Sequence, residues 1–334
     1  MATKGDRNLT LLDWASGVDD AGVTMKVVEI LDESNEMMDD MVWVEGNLPT
    51  GTRTTVRSGL PEAYWKQYNK GVPRSKGVKK QMDEACGMLR VYSVVDKDLA
   101  ELNGEGGAFL ASEEAGFIEG MTQQVQTAFI YGNIATDPER IMGLTPRYSD
   151  ATAENAENIL NGGGSASTNT SIWLVCWGDD TVHAMFPVSK PTGLQRTPKG
   201  VQTVSDDDGD EMEAYRTLYG WDCGLVVRDW RFIVRICNVD VATLTGTGAT
   251  GAKLIEMMVV ASELPPYLKG KCAFYMNRKI KTFLRRQITN KANVNLTFEN
   301  VAGKKVMAFD GIPCRRVDKI VNTESTVTGL PTFV

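Results

Sequence analysis

Residues 45–81 read EGNLPTGTRTTVRSGLPEAYWKQYNKGVPRSKGVKKQ. Glycine, proline, threonine and basic side chains dominate the stretch, and its few aliphatics cannot build a core. A segment this long without strong helical or strand periodicity is uncommon inside a compact domain, and is as a rule either disordered or held in place by a function. It is expected to protrude. Ordering such a chain costs backbone entropy that its own contacts do not offset, so the contacts that order it are expected to come from other chains. Assembly is therefore the leading theme.

Charge points the same way. The 334 residues carry a formal net charge of −7, but blocks of one sign alternate along the chain. Residues 1–45 hold eleven acids, Asp32, Glu33 and Glu36 among them, against Lys4, Arg7 and Lys26, a net of −8. The next block reverses sign: Lys66, Lys70, Arg74, Lys76, Lys79 and Lys80 follow one another with no acid between. Residues 206–213 are acidic and 278–291 basic again. One reading is four solvated faces, where an exposed ion pair contributes only about 0–1 kcal/mol. The other is complementary patches that set the register between identical chains, with the acidic N-terminal block as first partner of the basic run and the 206–213 loop as a weaker one.

Around the polar stretch the periodicity is clearer. TMKVVEILDESNEMMDDM at 24–41 predicts an acidic surface helix with Val28, Leu31, Met38 and Met41 near one face. Residues 41–44 predict a strand into the protrusion, and CGMLRVYSVVD at 86–96 the returning strand, which makes the protrusion a two-stranded loop. Residues 108–131 place Phe109, Ile118, Met121, Val125, Ala128 and Phe129 at helical spacing, the longest helix in the chain. It contains Gly116 and Gly120. A glycine inside a helix costs about 0.5–1 kcal/mol relative to alanine, so the pair is expected to mark close packing by a neighbour or a place to bend.

Beyond residue 140 short strands alternate with Gly, Ser and Asp: SIWLVCW (171–177), VHAMF (182–186), GLVVRDWRFIVRICNVDV (224–241) and CAFYM (272–276). Helices are expected at 253–264, stopped by Pro265 and Pro266, and after a cap at Asn277, with Ile280, Leu284 and Ile288 inward. Strands return at 294–298, 304–309 and 311–317. Mixed order of this kind predicts an α+β fold around one central sheet.

Catalytic and cofactor chemistry finds little footing. Gly246, Gly248 and Gly251 match G-x-G-x-x-G, but the preceding strand ends near Val241 and no second βαβ strand supplies an acid. Asp206, Asp208 and Asp210 begin a calcium-loop spacing that Glu211 and Thr217 then break. His183 is the only histidine and is expected as a satisfied, partly buried strand residue, which removes histidine triads and multi-histidine zinc sites. Trp173, Trp177, Trp221 and Trp230 sit on apolar strands and are expected to fill the core. Six scattered cysteines without a C-x-x-C pair read as buried free thiols. No secretory layout and no run of eighteen apolar residues is present, so a soluble chain that is not exported by the usual route is expected. No catalytic, cofactor or metal residue is assigned.

Several strings carry a family resemblance: DDMVWVEGNLPTGTRTTVRSGLPEAYW (39–65), DEACGMLRVYSVVDKDLAELNG (83–104), NTSIWLVCWG (169–178), GLVVRDWRFIVRICNVD (224–240) and FDGIPCRRVDKIVNTE (309–324). In these and in the order of its elements the chain resembles the major capsid (coat) proteins of tailed double-stranded DNA bacteriophages, the fold first described for phage Hong Kong ninety-seven. The resemblance implies an N-terminal arm and helix (1–44), an extended loop lying across an adjacent subunit (45–92), a peripheral domain with a spine helix (93–139 and 292–334) and an axial domain (140–291). It implies a structural subunit that assembles into hexamers and pentamers of an icosahedral head, made in the host cytoplasm and residing in the virion. The partners implied are a separate scaffolding protein, since the chain starts at Met1 and reaches its first helix by about Thr24, together with a portal, a cement or decoration protein, and packaged DNA as a weak lumenal contact. Two other readings stay open here: a nucleotide-dependent enzyme using the Gly246 to Gly251 loop, and a β-rich decoration or binding module.

Overall fold

The computed structural model describes residues 36–102, 106–164, 167–205, 209–242, 244, 249–289, 296–301 and 304–332. The body is built on a 12-stranded sheet that contains the strand NTSIWLVCW, buried at every position.

In chain order the elements are α1 (Glu36–Asp40), β1 (Trp43–Glu45), β2 (Gly51–Gly59), β3 (Val78–Ala85), β4 (Gly87–Asp96), α2 (Lys97–Ala100), α3 (Gly106–Tyr131), α4 (Leu144–Arg147), β5 (Ile159–Asn161), β6 (Asn169–Trp177), β7 (Val182–Phe186), β8 (Gln195–Ser205), β9 (Glu211–Val227), β10 (Ile233–Asp240), α5 (Ala249–Glu263), β11 (Lys271–Met276), α6 (Arg278–Thr289), β12 (Leu296–Val301), β13 (Lys304–Phe309) and β14 (Ile312–Arg316). Short 3₁₀ turns at Glu154–Asn158 and Trp230–Phe232 precede β5 and β10. The mixed order matches the α+β expectation.

A strand's side chains alternate between faces, and β6 is apolar on both. Trp173, Val175 and Trp177 join the core built on α3, with Met121, Val125, Phe129 and Ile130. Ile172 and Leu174 join the opposite core, closed by Leu254, Met257, Met258 and Ala261 of α5 and by Ile280 and Leu284 of α6. Covering on both faces explains why this strand lacks a polar alternate. Antiparallel neighbours flank it, with Arg235 of β10 and Tyr275 of β11 both opposite Trp173. The sheet continues through β14, β13 and β12 on one side and through β7, β9 and β4 on the other.

Local rules fix the ends. Asn277 caps α6, its Oδ1 accepting from the amide of Lys279 at 3.1 Å. Asp96 caps α2 through the amides of Asp98 and Leu99 at 2.8 and 3.3 Å. On α3, Phe109, Met121, Val125 and Phe129 face inward as the periodicity predicts, while Ile118 stays 39% exposed.

A buried polar network ties the C-terminal segment to the sheet. Arg235 donates to Glu324 at 2.9 Å, to Ser171 Oγ at 3.1 Å and to the Tyr148 carbonyl at 2.8 Å, with its guanidinium 5.1 Å from the Trp173 ring. Glu324 also accepts from the Tyr131 hydroxyl at 2.6 Å and from Ser171. Every charged end thus has a partner, the condition under which a buried pair is tolerated.

Three expectations differ from what is seen. Residues 86–96 do not return within the protrusion: β3 does, and β4 pairs with β9 along ten residues, from Gly87↔Cys223 to Asp96↔Ala214. The reason is burial, since Leu89, Val91 and Val95 supply an apolar face for the body and VKKQMDEA supplies none. The six cysteines are not all free: Cys176 and Cys272 face each other in register across β6 and β11 and are joined, leaving Cys86, Cys223, Cys237 and Cys314. Burial pushes the Cys223 and Cys314 thiols up to about 12, so they stay protonated at neutral pH. His183 lies on β7 as expected, but it is fully buried and its Nδ1 has no hydrogen-bond partner among the described residues. The acidic spacing at Asp206 and Asp208 and the glycines Gly246 and Gly248 lie outside the described residues.

Candidate subunit interface

The polar stretch forms an arm. β2 and β3 make a two-stranded sheet of their own, paired from Gly51↔Ala85 to Gly59↔Val78 and bonded to no other strand. Gly51 and Thr52 are buried, Thr54, Val56, Gly59, Met82 and Glu84 are half-buried, and the rest of both strands is open. Arg53 and Asp83 face each other across the pair with bonds of 2.6 and 2.7 Å, holding Asp83 below the usual carboxylate range.

The root of the arm is tightly specified. Asn47 brackets the first strand, its Oδ1 accepting from the Arg53 amide and its Nδ2 donating to the Arg53 carbonyl, each at 2.8 Å. Any Cβ at Gly51 would lie 2.0 Å from the Glu84 carbonyl oxygen, so only glycine permits the two strands to approach there. Arg147 of α4 then clasps the Glu84 carboxylate with two bonds of 2.6 Å, both side chains largely buried. Between root and body runs a cleft of about 840 Å³, lined by Val56, Leu60, Met82, Tyr148, Trp230 and Arg231 among others.

The tip is different. Residues 60–80 are exposed without exception. Among the described residues the hydrogen bonds of 60–77 stay inside the segment: Tyr64 to Glu62, Ser75 Oγ to the Glu62 carbonyl at 2.7 Å, and the Lys70 amide to the Gln67 carbonyl at 3.3 Å. Lys66, Lys70, Arg74, Lys76, Lys79 and Lys80 form no ion pair within the subunit among the described residues. Asp32 and Glu33 lie outside the described residues. Glu36 is engaged inside its own subunit, with Lys281 at 3.5 Å, the Arg316 amide at 3.2 Å and Arg315 at 3.9 Å. Gly116 and Gly120 are exposed on α3, and a Cβ at either would meet nothing within 4 Å.

Sequence reasoning missed the second exposed extension. β8 and β9 pair from Ser205↔Glu211 to Gln195↔Gly220, and β8 is exposed almost throughout. Arg196 anchors this hairpin to the spine helix with bonds of 3.0 and 2.8 Å to Glu114, which also accepts from Thr217 at 3.2 Å. Asp222 at its root accepts from Lys190 at 2.6 Å and pairs with Arg90 at 2.5 Å. An arginine at 196 and an acid at 114, 82 positions apart, give no sequence signal of their pairing.

An armed, two-core subunit of this kind is a shape already solved in phages. Residues 19–328 match the major capsid protein GP7 family. The chain belongs to that family. A chain of the bacteriophage Epsilon15 structure is 37% identical, with 98% of this chain and 100% of that one covered and a TM-score of 0.78. A chain of the bacteriophage JBD30 capsid is 8% identical, with 87% and 92% covered and a TM-score of 0.51, a likeness of fold alone. No curated protein matches. As a major capsid protein the chain is a structural subunit of the icosahedral phage head and resides in the virion capsid; it is not an enzyme. The nucleotide-enzyme and decoration-module readings have no support from these likenesses. Among the described residues no helix is long and apolar enough to cross a membrane.

Proposed function

We propose that this capsid subunit closes its shell through the arm, β2 and β3 carrying residues 60–77 onto an adjacent copy. The observation that supports the reading is the pairing pattern: as strands, β2 and β3 pair only with each other, and among the described residues the tip spends no hydrogen bond on its own body. A contact in which one surface of a copy meets a different surface of the next closes into rings of five or six when the rotation closes. Many such contacts, each weak, hold a particle through multivalency. The arm proper is drawn in from 45–92 to β2, the tip and β3. The body divides into a peripheral part around α3 (93–139 and 292–334) and an axial part (140–291).

The basic run sets register against acidic surface on the neighbour, with the N-terminal block as first partner. Gly116 and Gly120 leave a bare strip of the spine helix for a neighbour to approach. Further partners in this reading are a separate scaffolding protein, a portal, a cement or decoration protein, and packaged double-stranded DNA as a weak lumenal contact. The test replaces 62–77 by a short Gly-Asn turn that keeps β2 and β3 paired. A folded, soluble subunit that forms no shells by electron microscopy is expected; normal shells would overturn the reading.

A further inference from the structure

We infer that Trp65 and Tyr68 are the anchors of the arm, inserting into an apolar, carboxylate-rimmed recess on a second copy of this chain. The inference rests on the arm reading and goes on to name the residues that hold it. Both side chains are fully exposed, at 103% and 100%, and no described residue of their own subunit covers them. The other described tryptophans, Trp43, Trp173, Trp177, Trp221 and Trp230, all pack in the body. A ring of this size presents roughly 150–250 Å² for burial, and among the described residues only these two aromatic side chains are left fully exposed.

Leu60, Val72 and Val78 extend the apolar surface along the same tip, at 79%, 49% and 54% exposure. Exposed apolar side chains gathered in one short segment suit a contact, and tryptophan and tyrosine are the residue types that dominate interface energies. Around them stand Lys66, Lys70, Arg74 and Lys76 against the single acid Glu62. A recess that accepts the rings without repelling this rim carries carboxylates at its edge. The occupant is a second copy because the shell is made of copies of this subunit. Nucleic acid offers bases to the same rings and phosphates to the same lysines, and the test separates it.

Trp65→Ala with Tyr68→Ala, Trp65→Phe with Tyr68→Phe, and the 62–77 replacement are compared with wild type in assembly without DNA, with circular dichroism as the check on folding. The double alanine variant is expected to raise the concentration needed for shells by at least ~10-fold, and the phenylalanine variant to restore most of the loss. Acrylamide quenching, taken as the difference between wild type and Trp65→Phe, is expected to find Trp65 open in free subunits and shielded in DNA-free shells. If the replacement abolishes assembly while the alanine variant assembles like wild type, or if Trp65 stays quenchable in shells, the anchors are wrong and the arm reading stands. Shielding that appears only when DNA is added would assign the rings to nucleic acid and overturn the inference. Normal assembly of the replacement would remove the arm reading, and the anchors with it.

Discussion

Arg147 holds both carboxylate oxygens of Glu84 at 2.6 Å, and this clasp joins the last residues of the arm to the body. The geometry is the parallel fork in which arginine binds a carboxylate most strongly. Both side chains are shielded, at 14% and 9% exposure. Removing one partner leaves the other charge buried, an effect on the order of 3 kcal/mol. Arg147→Ala is expected to lower the subunit's unfolding free energy by that amount, read from a shifted urea midpoint. It is also expected to loosen the arm's root, seen as faster amide exchange at Asp83, Glu84 and Ala85. Unchanged exchange there would show that Gly51 and Asn47 fix the root alone.

Gly116 and Gly120 carry a prediction of opposite sign. Nothing lies within 4 Å of a Cβ at either site, so alanine relieves the helix of glycine's entropy and is expected to stabilise the free subunit by up to about 1 kcal/mol per site. Thermal melts of the double variant check this. If a neighbour packs on the strip, the same variant melts higher yet assembles or expands poorly. Higher stability with normal shells and normal expansion would leave the glycines without an assembly role.

The basic run predicts salt sensitivity. Charges on an exposed tip are screened over about 8–10 Å at ordinary ionic strength, so wild-type assembly is expected to weaken as salt rises. Lys76→Glu, Lys79→Glu and Lys80→Glu together are expected to abolish assembly at low salt, and Asp32→Lys with Glu33→Lys to restore part of it. Glu36 is left out of the rescuing set because it serves Lys281 and Arg315 within the subunit. Assembly of the reversed arm at wild-type yield at every salt concentration would rule the pairing out.

His183 sets an acid limit on the body. Burial holds its pKa down to about 4 against an ordinary 6.5, with Arg228 nearby acting in the same direction and Asp179 opposing. The folded imidazole therefore stays neutral while the unfolded one takes up a proton below pH 6.5. Its contribution is present above the unfolded value and is lost as pH falls from 6.5 toward 4. Between pH 7 and pH 5 the subunit is expected to lose about 2 kcal/mol through this group. Urea titrations across that window, on wild type and on His183→Gln, measure it. An equal slope in the variant would assign the loss to other groups.

The sequence by itself determined the parts whose signal is local. Apolar runs wrote β6, β7, β10 and β11, because a strand covered on both faces has no polar alternate to hide it. Helical spacing and a cap wrote α3 and α6. The composition of 45–81 wrote the arm, because a stretch with so few aliphatics cannot build a core of its own. The tertiary structure alone decided which strand returns in the arm, since β3 and β4 abut at Cys86 and only pairing partners distinguish them. It alone produced the β8 and β9 hairpin, whose first strand carries Pro198, Gly200 and exposed polar residues with no alternation to read. The clasp of Arg147 on Glu84, the joining of Cys176 to Cys272 and the Arg235 to Glu324 pair likewise link positions 63, 96 and 89 residues apart. Such contacts depend on the register and crossing of elements distant in sequence, and no local pattern of residues records that.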